Sequence, residues 1–193
     1  MTDRESVLDE FRAADALLEG HFLLSSGKHS SVYLQCARVM MDPARGARLC
    51  KALAEKVRAT GVEVDLCVSP AMGAVIVGYE TARHLDRPSI FMERPDGKFI
   101  LRRGFDIGPN ARCLMIEDVV TTGKSSRECI RSITEAGGNT VAAACLIDRS
   151  GGSADLGVPL TALATIDAPL FEPDAVPEEL AALPAVKPGS RKR

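Results

Sequence analysis

Several things are scarce in this chain, and each scarcity excludes a class of function. Charge of one sign is missing: 24 Lys and Arg against 26 Asp and Glu leave a formal net charge of −2. With a pI of about 6.0, no basic field for a nucleic-acid partner is expected, and only Lys187 to Arg193 is locally basic. C-x-x-C spacing is missing too. The cysteines at 36, 50, 67, 113, 129 and 145 are scattered, several inside apolar runs. They read as reduced core thiols of a cytoplasmic protein rather than zinc ligands or disulfides. No apolar stretch approaches the roughly 18 residues of a membrane span, and the charged, polar amino terminus does not resemble a signal peptide. Internal repeats and low-complexity segments are also lacking. What remains is 193 residues, 46% hydrophobic and 26% charged, one domain's worth of chain with a sizeable core.

Within it, the most informative stretch is CLMIEDVVTTGKSSRECI, residues 113 to 130. Cys113-Leu114-Met115-Ile116 is a short, unbroken apolar run, which suits a central strand covered on both faces. Glu117 and Asp118 mark its carboxyl end. Val119 and Val120 follow, and then Thr121-Thr122-Gly123-Lys124-Ser125, small and hydroxyl-rich, with a glycine where the backbone can turn tightly. From Ser125 the spacing predicts a helix, with Cys129, Ile130 and Ile133 on one face and Gly137-Gly138 as its stop. Free amides in the loop and at the helix start point at one place, and the helix dipole favours negative charge there. The segment therefore reads as a phosphate cradle. Its acids suggest that the ligand carries more than a phosphate. Neighbouring strand residues face opposite ways, so Glu117 and Asp118 are poorly placed as an acid/base pair, but a chain leaving the strand could lay both along the two ring hydroxyls of a ribose.

A nucleoside-triphosphate P-loop is the competing motif, since Gly123-Lys124-Ser125 matches the end of G-x-x-x-x-G-K-[ST]. That motif needs glycine where Asp118 stands, so the spacing excludes it. Taken singly, acids at a strand end are a solvated terminus and a Thr/Ser run is a helix cap. Both together, directly after an apolar strand, favour the cradle. EDVVTTGKS resembles the phosphoribosyl pyrophosphate (PRPP) signature of the type I phosphoribosyltransferases.

The rest of the chain is read in order. Thr2-Asp3-Arg4-Glu5 has the capping-box pattern, and Val7, Leu8, Phe11, Ala14 and Leu17 share one face of a covering helix that Gly20 is expected to end. Two short strands, Phe22-Leu23-Leu24 and Val32-Tyr33-Leu34, flank the polar turn Ser25 to Ser30. Asp42-Pro43 opens a helix that runs to Gly61 with Leu49, Cys50, Leu53, Ala54 and Val57 inward. Val64 to Val68 is a buried strand that exits through Ser69-Pro70-Ala71-Met72-Gly73-Ala74 into a helix from Val75 to His84, where His84 reads as a helix-end residue rather than a catalyst. Ser89 to Met92 is a strand, and residues 93 to 104 carry four cations, Arg94, Lys98, Arg102 and Arg103, around a Pro-Asp-Gly turn. Val141 to Ile147 is an apolar strand ending in Asp148-Arg149-Ser150-Gly151-Gly152. Leu160 to Ile166 is the last strand, Glu178 to Leu183 a short helix and Pro184 to Arg193 a tail. Alternating strands and helices predict an α/β fold with a mainly parallel sheet and ligands at the carboxyl ends of its strands.

Several of these segments deepen the resemblance. GHFLLSSGKHSSVYLQ is similar to the amino-terminal hood that touches the base in orotate phosphoribosyltransferases. Residues 93 to 104 stand where that family has its mobile catalytic loop, and LIDRSGG looks like the segment whose arginine pairs with the base's carboxylate. A guanidinium fork suits that anion, which a purine lacks. The resemblance implies a type I phosphoribosyltransferase fold, a mainly parallel twisted sheet flanked by helices, with residues 1–40 as helix and hood, 41–170 as the α/β core and 171–193 as the end. It also implies transfer of a phosphoribosyl group from PRPP to orotate in pyrimidine synthesis.

The roles it implies are specific. Glu117 and Asp118 would take the ribose edge, and Val119, Val120, Thr121, Thr122, Gly123, Lys124 and Ser125 would hold PRPP through its 5-phosphate. Thr121 and Arg149 would border orotate, while Lys98 first and Arg94 second would assist pyrophosphate departure, ahead of Arg102 and Arg103. Magnesium would be held mainly through PRPP rather than directly by the protein, and a homodimer with shared sites is expected. Three positions depart from the family pattern: Ser25 where lysine is common, Met72-Gly73 where Tyr-Lys is common, and no histidine in the loop. Two rivals share the fold: a transferase acting on adenine or a related base, and a regulator that only senses PRPP.

Overall fold

Side chains that alternate between two buried faces along two neighbouring strands set the layers of the molecule. In the computed structural model, which describes residues 3–24 and 27–187, β5 (Arg112–Val120) sends Leu114 and Ile116 to one face of a sheet and Cys113 and Met115 to the other. Its neighbour β6 (Asn139–Asp148) does the same with Ala142, Ala144 and Leu146 against Ala143 and Cys145. Strands buried on both faces cannot show a polar alternation, which is why they read as continuous apolar runs. The sheet is completed by β3 (Leu66–Pro70), β4 (Ser89–Met92) and β7 (Leu160–Thr165), all parallel, in the order β4-β3-β5-β6-β7.

One face is covered by α1 (Arg4–Ala13), the short α2 (Cys36–Met40), α3 (Pro43–Ala59) and α4 (Ala74–Leu85). The other is covered by α5 (Lys124–Glu135) together with Phe99 and Ile107 of the segment that joins β4 to β5. Asp42 caps α3 as its sequence predicts: its Oδ1 accepts from the amides of Ala44 and Arg45 at 3.0 and 3.3 Å, and Pro43 sits in the first turn. Beside the core stands a three-stranded antiparallel sheet, the hood, made of β1 (Leu17–Leu23), β2 (His29–Leu34) and β8 (Leu170–Phe171). A last short helix, α6 (Glu178–Ala181), lies near β1.

The amino-terminal expectations need correction. Helix α1 stops at Ala13 and not at Gly20, because the Ala14 amide turns back to the Phe11 carbonyl and Asp15 takes a left-handed φ of +48°. Leu17 therefore opens β1, and Gly20 lies inside that strand, where the register with β2 shifts. The observed cap of α1 is Asp3, whose carboxylate accepts from the Ser6 amide at 2.8 Å. Thr2 of the expected capping box, Ser25 and Ser26 of the hood turn and residues 188–193 of the tail lie outside the described residues. β5 also outruns its expected end, since pairing with β6 continues to Val120↔Asp148 and takes both acids into the strand.

Candidate active site

The cradle forms at the carboxyl end of the central strand. After Val120, Thr121 and Thr122 are exposed and Gly123 opens α5 with a φ of +71°. Glycine is required there twice over. The left-handed backbone disfavours a side chain, and a Cβ would lie 2.5 Å from Leu156 Cδ2 and 2.9 Å from Arg127 Nη1. Among the described residues the amides of Thr121, Thr122 and Gly123 donate to no other group, and the Lys124 amide makes only a 3.5 Å contact with Thr122 Oγ1. Free donors at a helix amino terminus constitute an anion site. Residues 121 to 125 are thus brought together as their spacing predicts.

The acids lie ahead of this turn, separated from Thr121 by Val119 and Val120, and their side chains divide between the faces of the sheet. Asp118 points to the α4 side, where its Oδ2 would stand 2.7 Å from a Cβ placed on Gly73. Gly73, which ends the loop after β3, is therefore the residue that makes room for the carboxylate. Glu117 is buried and its carboxyl is pushed up to about 9, first by burial and then by the neighbouring Asp118 charge, with Arg94 acting in the opposite direction. Glu117 therefore holds its proton beside the Asp118 side chain in the ligand-free protein. Among the described residues no group of three or more His, Cys, Asp or Glu is placed to hold a metal ion.

A third wall comes from the ends of β6 and β7. Asp148 is buried and fastens the turn after β6, accepting from the Ser150 amide at 2.8 Å, the Ser150 hydroxyl at 2.6 Å and the Gly152 amide at 3.1 Å. That turn holds Arg149 in place. Arg149 is 8% exposed, yet it forms no ion pair with any described carboxylate, and its Nε has no partner. Its Nη2 donates to Ser30 Oγ at 2.9 Å and to the Val32 carbonyl at 3.3 Å, both in the hood. Burial lowers its pKa. A cavity of about 260 Å³ joins Arg149 to Thr121 and Thr122, with Ser150, Asp167 and Leu170 among its other walls. The site thus places a loop of free amides and a buried guanidinium, paired with no described carboxylate, on two sides of one small pocket.

The loop cations are elsewhere. Residues 93 to 104 form a hairpin closed by the Glu93↔Ile100 bridge and anchored by Phe99, which is buried. Arg94 stacks on the Phe99 ring at 4.0 Å and pairs with Glu128 of α5, close enough to Glu117 to act on its charge. Lys98 pairs with Glu135 at 2.7 Å, and Arg102 and Arg103 both pair with Glu93. Glu135 lies at the far end of α5, eleven residues from Lys124, or about 16 Å along the helix axis. The structure therefore brings Arg94 towards the acids and leaves Lys98 away from this chain's own cradle. Sequence reasoning missed Gly73, Ser30 and Asp167, which act through contacts across elements, and Asp148, whose partners Ser150 and Gly152 lie in its own turn. A buried position for Asp148, with Ser-Gly-Gly downstream, is the one local signal that could have been used.

No protein-family model matches the chain. It is 61% identical over 188 residues to the orotate phosphoribosyltransferase of Caulobacter vibrioides (strain NA1000 / CB15N), covering 97% of each chain. It is 58% identical over 194 residues to that of Erythrobacter litoralis (strain HTCC2594), covering 100% of each. Among solved structures it is similar to the orotate phosphoribosyltransferase of Aeropyrum pernix, with a TM-score of 0.67 and 25% identity over 82% of this chain and 93% of that one.

Proposed function

The chain belongs to the orotate phosphoribosyltransferase family, and on that premise we propose that the pocket between the cradle and Arg149 performs its transfer reaction. The enzyme moves the 5-phosphoribosyl group of PRPP to a ring nitrogen of orotate, giving orotidine 5'-monophosphate and pyrophosphate on the route to UMP. The observation that carries this reading is Arg149: a buried guanidinium with no carboxylate of its own, on the wall of a pocket shared with Thr121. Orotate supplies a carboxylate, and adenine, hypoxanthine and uracil do not. A fork of N–H donors reads it and sets the ring nitrogen towards the sugar.

Residue roles follow from position. The amides and hydroxyls of Thr121 to Ser125 hold the 5-phosphate, and Asp118 and Glu117 take the ribose hydroxyls. As the bond to pyrophosphate loosens, positive character grows on the ribose carbon and negative charge on the departing group. No covalent nucleophile is needed, so rate comes from positioning and electrostatics. Magnesium fits this site as a companion of the substrate: the neighbouring carboxyl groups of Glu117 and Asp118 can supply oxygen ligands, but among the described residues no third His, Cys, Asp or Glu joins them to hold an ion alone. It would be held mainly by PRPP oxygens and water, with Glu117 or Asp118 in an outer role, and would offset charge on the leaving group.

Arg94 and Lys98 are the loop cations proposed to assist departure. Lys98 reaches a cradle only if its loop leaves α5 or serves a neighbouring subunit. Support for a homodimer comes from exposed apolar side chains on and beside the loop that joins β3 to α4: Met72 is 82%, Ile76 57% and Tyr79 64% exposed, with Met41 at 79%. Ile76 and Tyr79 are three residues apart on α4, so they share a face. Sedimentation of the protein as a monomer at micromolar concentration would remove the dimer from this proposal. The site is assigned to the cytoplasm, in keeping with six free, buried cysteines. No described helix is long and apolar enough to cross a membrane.

The direct experiment follows orotate loss by absorbance with PRPP and magnesium, run beside adenine, hypoxanthine and uracil. Orotate alone should be consumed, and omission of magnesium should stop it. Consumption of a purine at a comparable rate would overturn the assignment.

A further inference from the structure

The serine that closes the hood run Ser-Gly-Lys-His-Ser has no part in the roles above, yet it is among the most completely enclosed polar residues of the molecule. Ser30 is fully buried in β2. Its hydroxyl donates to the Val32 carbonyl at 3.0 Å and accepts from the Val32 amide at 3.2 Å. Its remaining capacity goes to a cation 119 residues away, the Arg149 Nη2, at 2.9 Å. The Val32 carbonyl accepts from the same nitrogen at 3.3 Å. Since Ser30 Oγ and that carbonyl bond each other, both lie on one side of Nη2. The buried Nε and the other guanidinium donors are left for a ligand.

A neutral acceptor at this position has a particular consequence. A carboxylate would hold the guanidinium more strongly, but it would cancel the charge that must attract an anionic substrate. A hydroxyl fixes the plane of the fork and leaves the charge whole. Ser30 is also paired with Leu170 of β8, and Leu170 lines the pocket. The same serine therefore ties the arginine, the hood and the pocket wall together. We propose that Ser30 is a positioning residue for the transfer reaction, holding Arg149 in the orientation that receives the orotate carboxylate while leaving its charge unneutralised. This rests on Arg149 as the carboxylate reader.

Kinetics on purified full-length variants test it, with thermal melting measured alongside. Ser30→Ala is expected to raise the orotate KM about tenfold, the loss of one hydrogen bond to a charged group, and to leave the PRPP KM unchanged. Ser30→Thr, which keeps the hydroxyl, should restore most of the orotate affinity. In an Arg149→Met background, Ser30→Ala should have no further effect on orotate, because the group it orients is gone. If Ser30→Ala fails to fold, Ser30→Asp serves instead. It gives up the hydrogen bond to the Val32 carbonyl but pairs directly with Arg149, and it should lose orotate affinity at least as severely through charge cancellation.

An equal rise in both KM values, an effect that adds to that of Arg149→Met, or an aspartate variant with normal orotate affinity would each overturn the proposal. Should Arg149→Met alone leave the orotate KM unchanged, the carboxylate reader itself is wrong and both fall together. An effect of Arg149→Met with none from Ser30→Ala sinks only the positioning role.

Discussion

Replacing Arg149 with methionine should separate stability from substrate use. In the free protein this side chain is a buried cation with no acid partner among the described residues and an orphan Nε. Its removal leaves no new orphan behind, because Ser30 Oγ and the Val32 carbonyl remain bonded to each other at 3.0 Å. Exchanging a buried charged group for an apolar side chain of similar length is commonly neutral or stabilising by about 1 kcal/mol or more. For a chain of this size each such gain raises Tm by about 2–4 °C. Substrate use should move the other way. Losing charged hydrogen bonds to a carboxylate, taken together as about 3 kcal/mol, lowers kcat/KM for orotate by roughly 150-fold. PRPP affinity should change little. The assays are a thermal melt of the ligand-free protein and initial rates of orotate loss at fixed PRPP and varied orotate. A variant that melts well below wild type while using orotate normally would refute the reasoning, since Arg149 would then be a structural cation.

The remaining predictions address the acids and the loop. A carboxyl raised to about 9 keeps a proton that the unfolded chain has released, so ligand-free stability should fall as pH rises from the ordinary carboxylate range to about 9, by up to about 1.4 kcal/mol per unit. Glu117→Gln should flatten that slope in melts taken from about pH 5.5 to 8.5, and a wild type with no slope would show the proton to be absent. Gly73→Ala sets a Cβ 2.7 Å from Asp118 Oδ2. The displaced carboxylate should cost about a hundredfold in turnover with an unchanged circular dichroism spectrum, and normal turnover would remove Asp118 from the ribose edge. Lys98→Ala and Arg94→Ala should each lower turnover with little change in either KM. If only Arg94→Ala does so, the cation nearer the acids carries the role alone.

Much of this molecule is legible along the chain because the relevant physics is local. An apolar run, a glycine at a left-handed turn and a helix start specify a strand-turn-helix unit whatever lies around them, and Gly123 has the expected left-handed backbone, with φ of +71°. Asp42-Pro43 opens α3 for the same kind of reason. Segment ends are less legible where a neighbour decides them. β5 runs on through Glu117 and Asp118 because β6 continues to pair with it, and α1 stops short of Gly20 because Leu17–Leu23 finds β2.

By itself, then, the sequence determined the class of fold, and its local pattern singled out the loop after β5 and Arg149 as candidate site residues. Tertiary structure alone decided what surrounds them: Gly73 yielding space to Asp118, Ser30 holding Arg149, and the loop cations resting on acids of α5 and Glu93. The division has one physical cause. Backbone turns and caps depend on residues within a few positions of each other, whereas the orientation and charge environment of a buried side chain are set by groups far away in the chain that the sheet order brings within hydrogen-bonding distance.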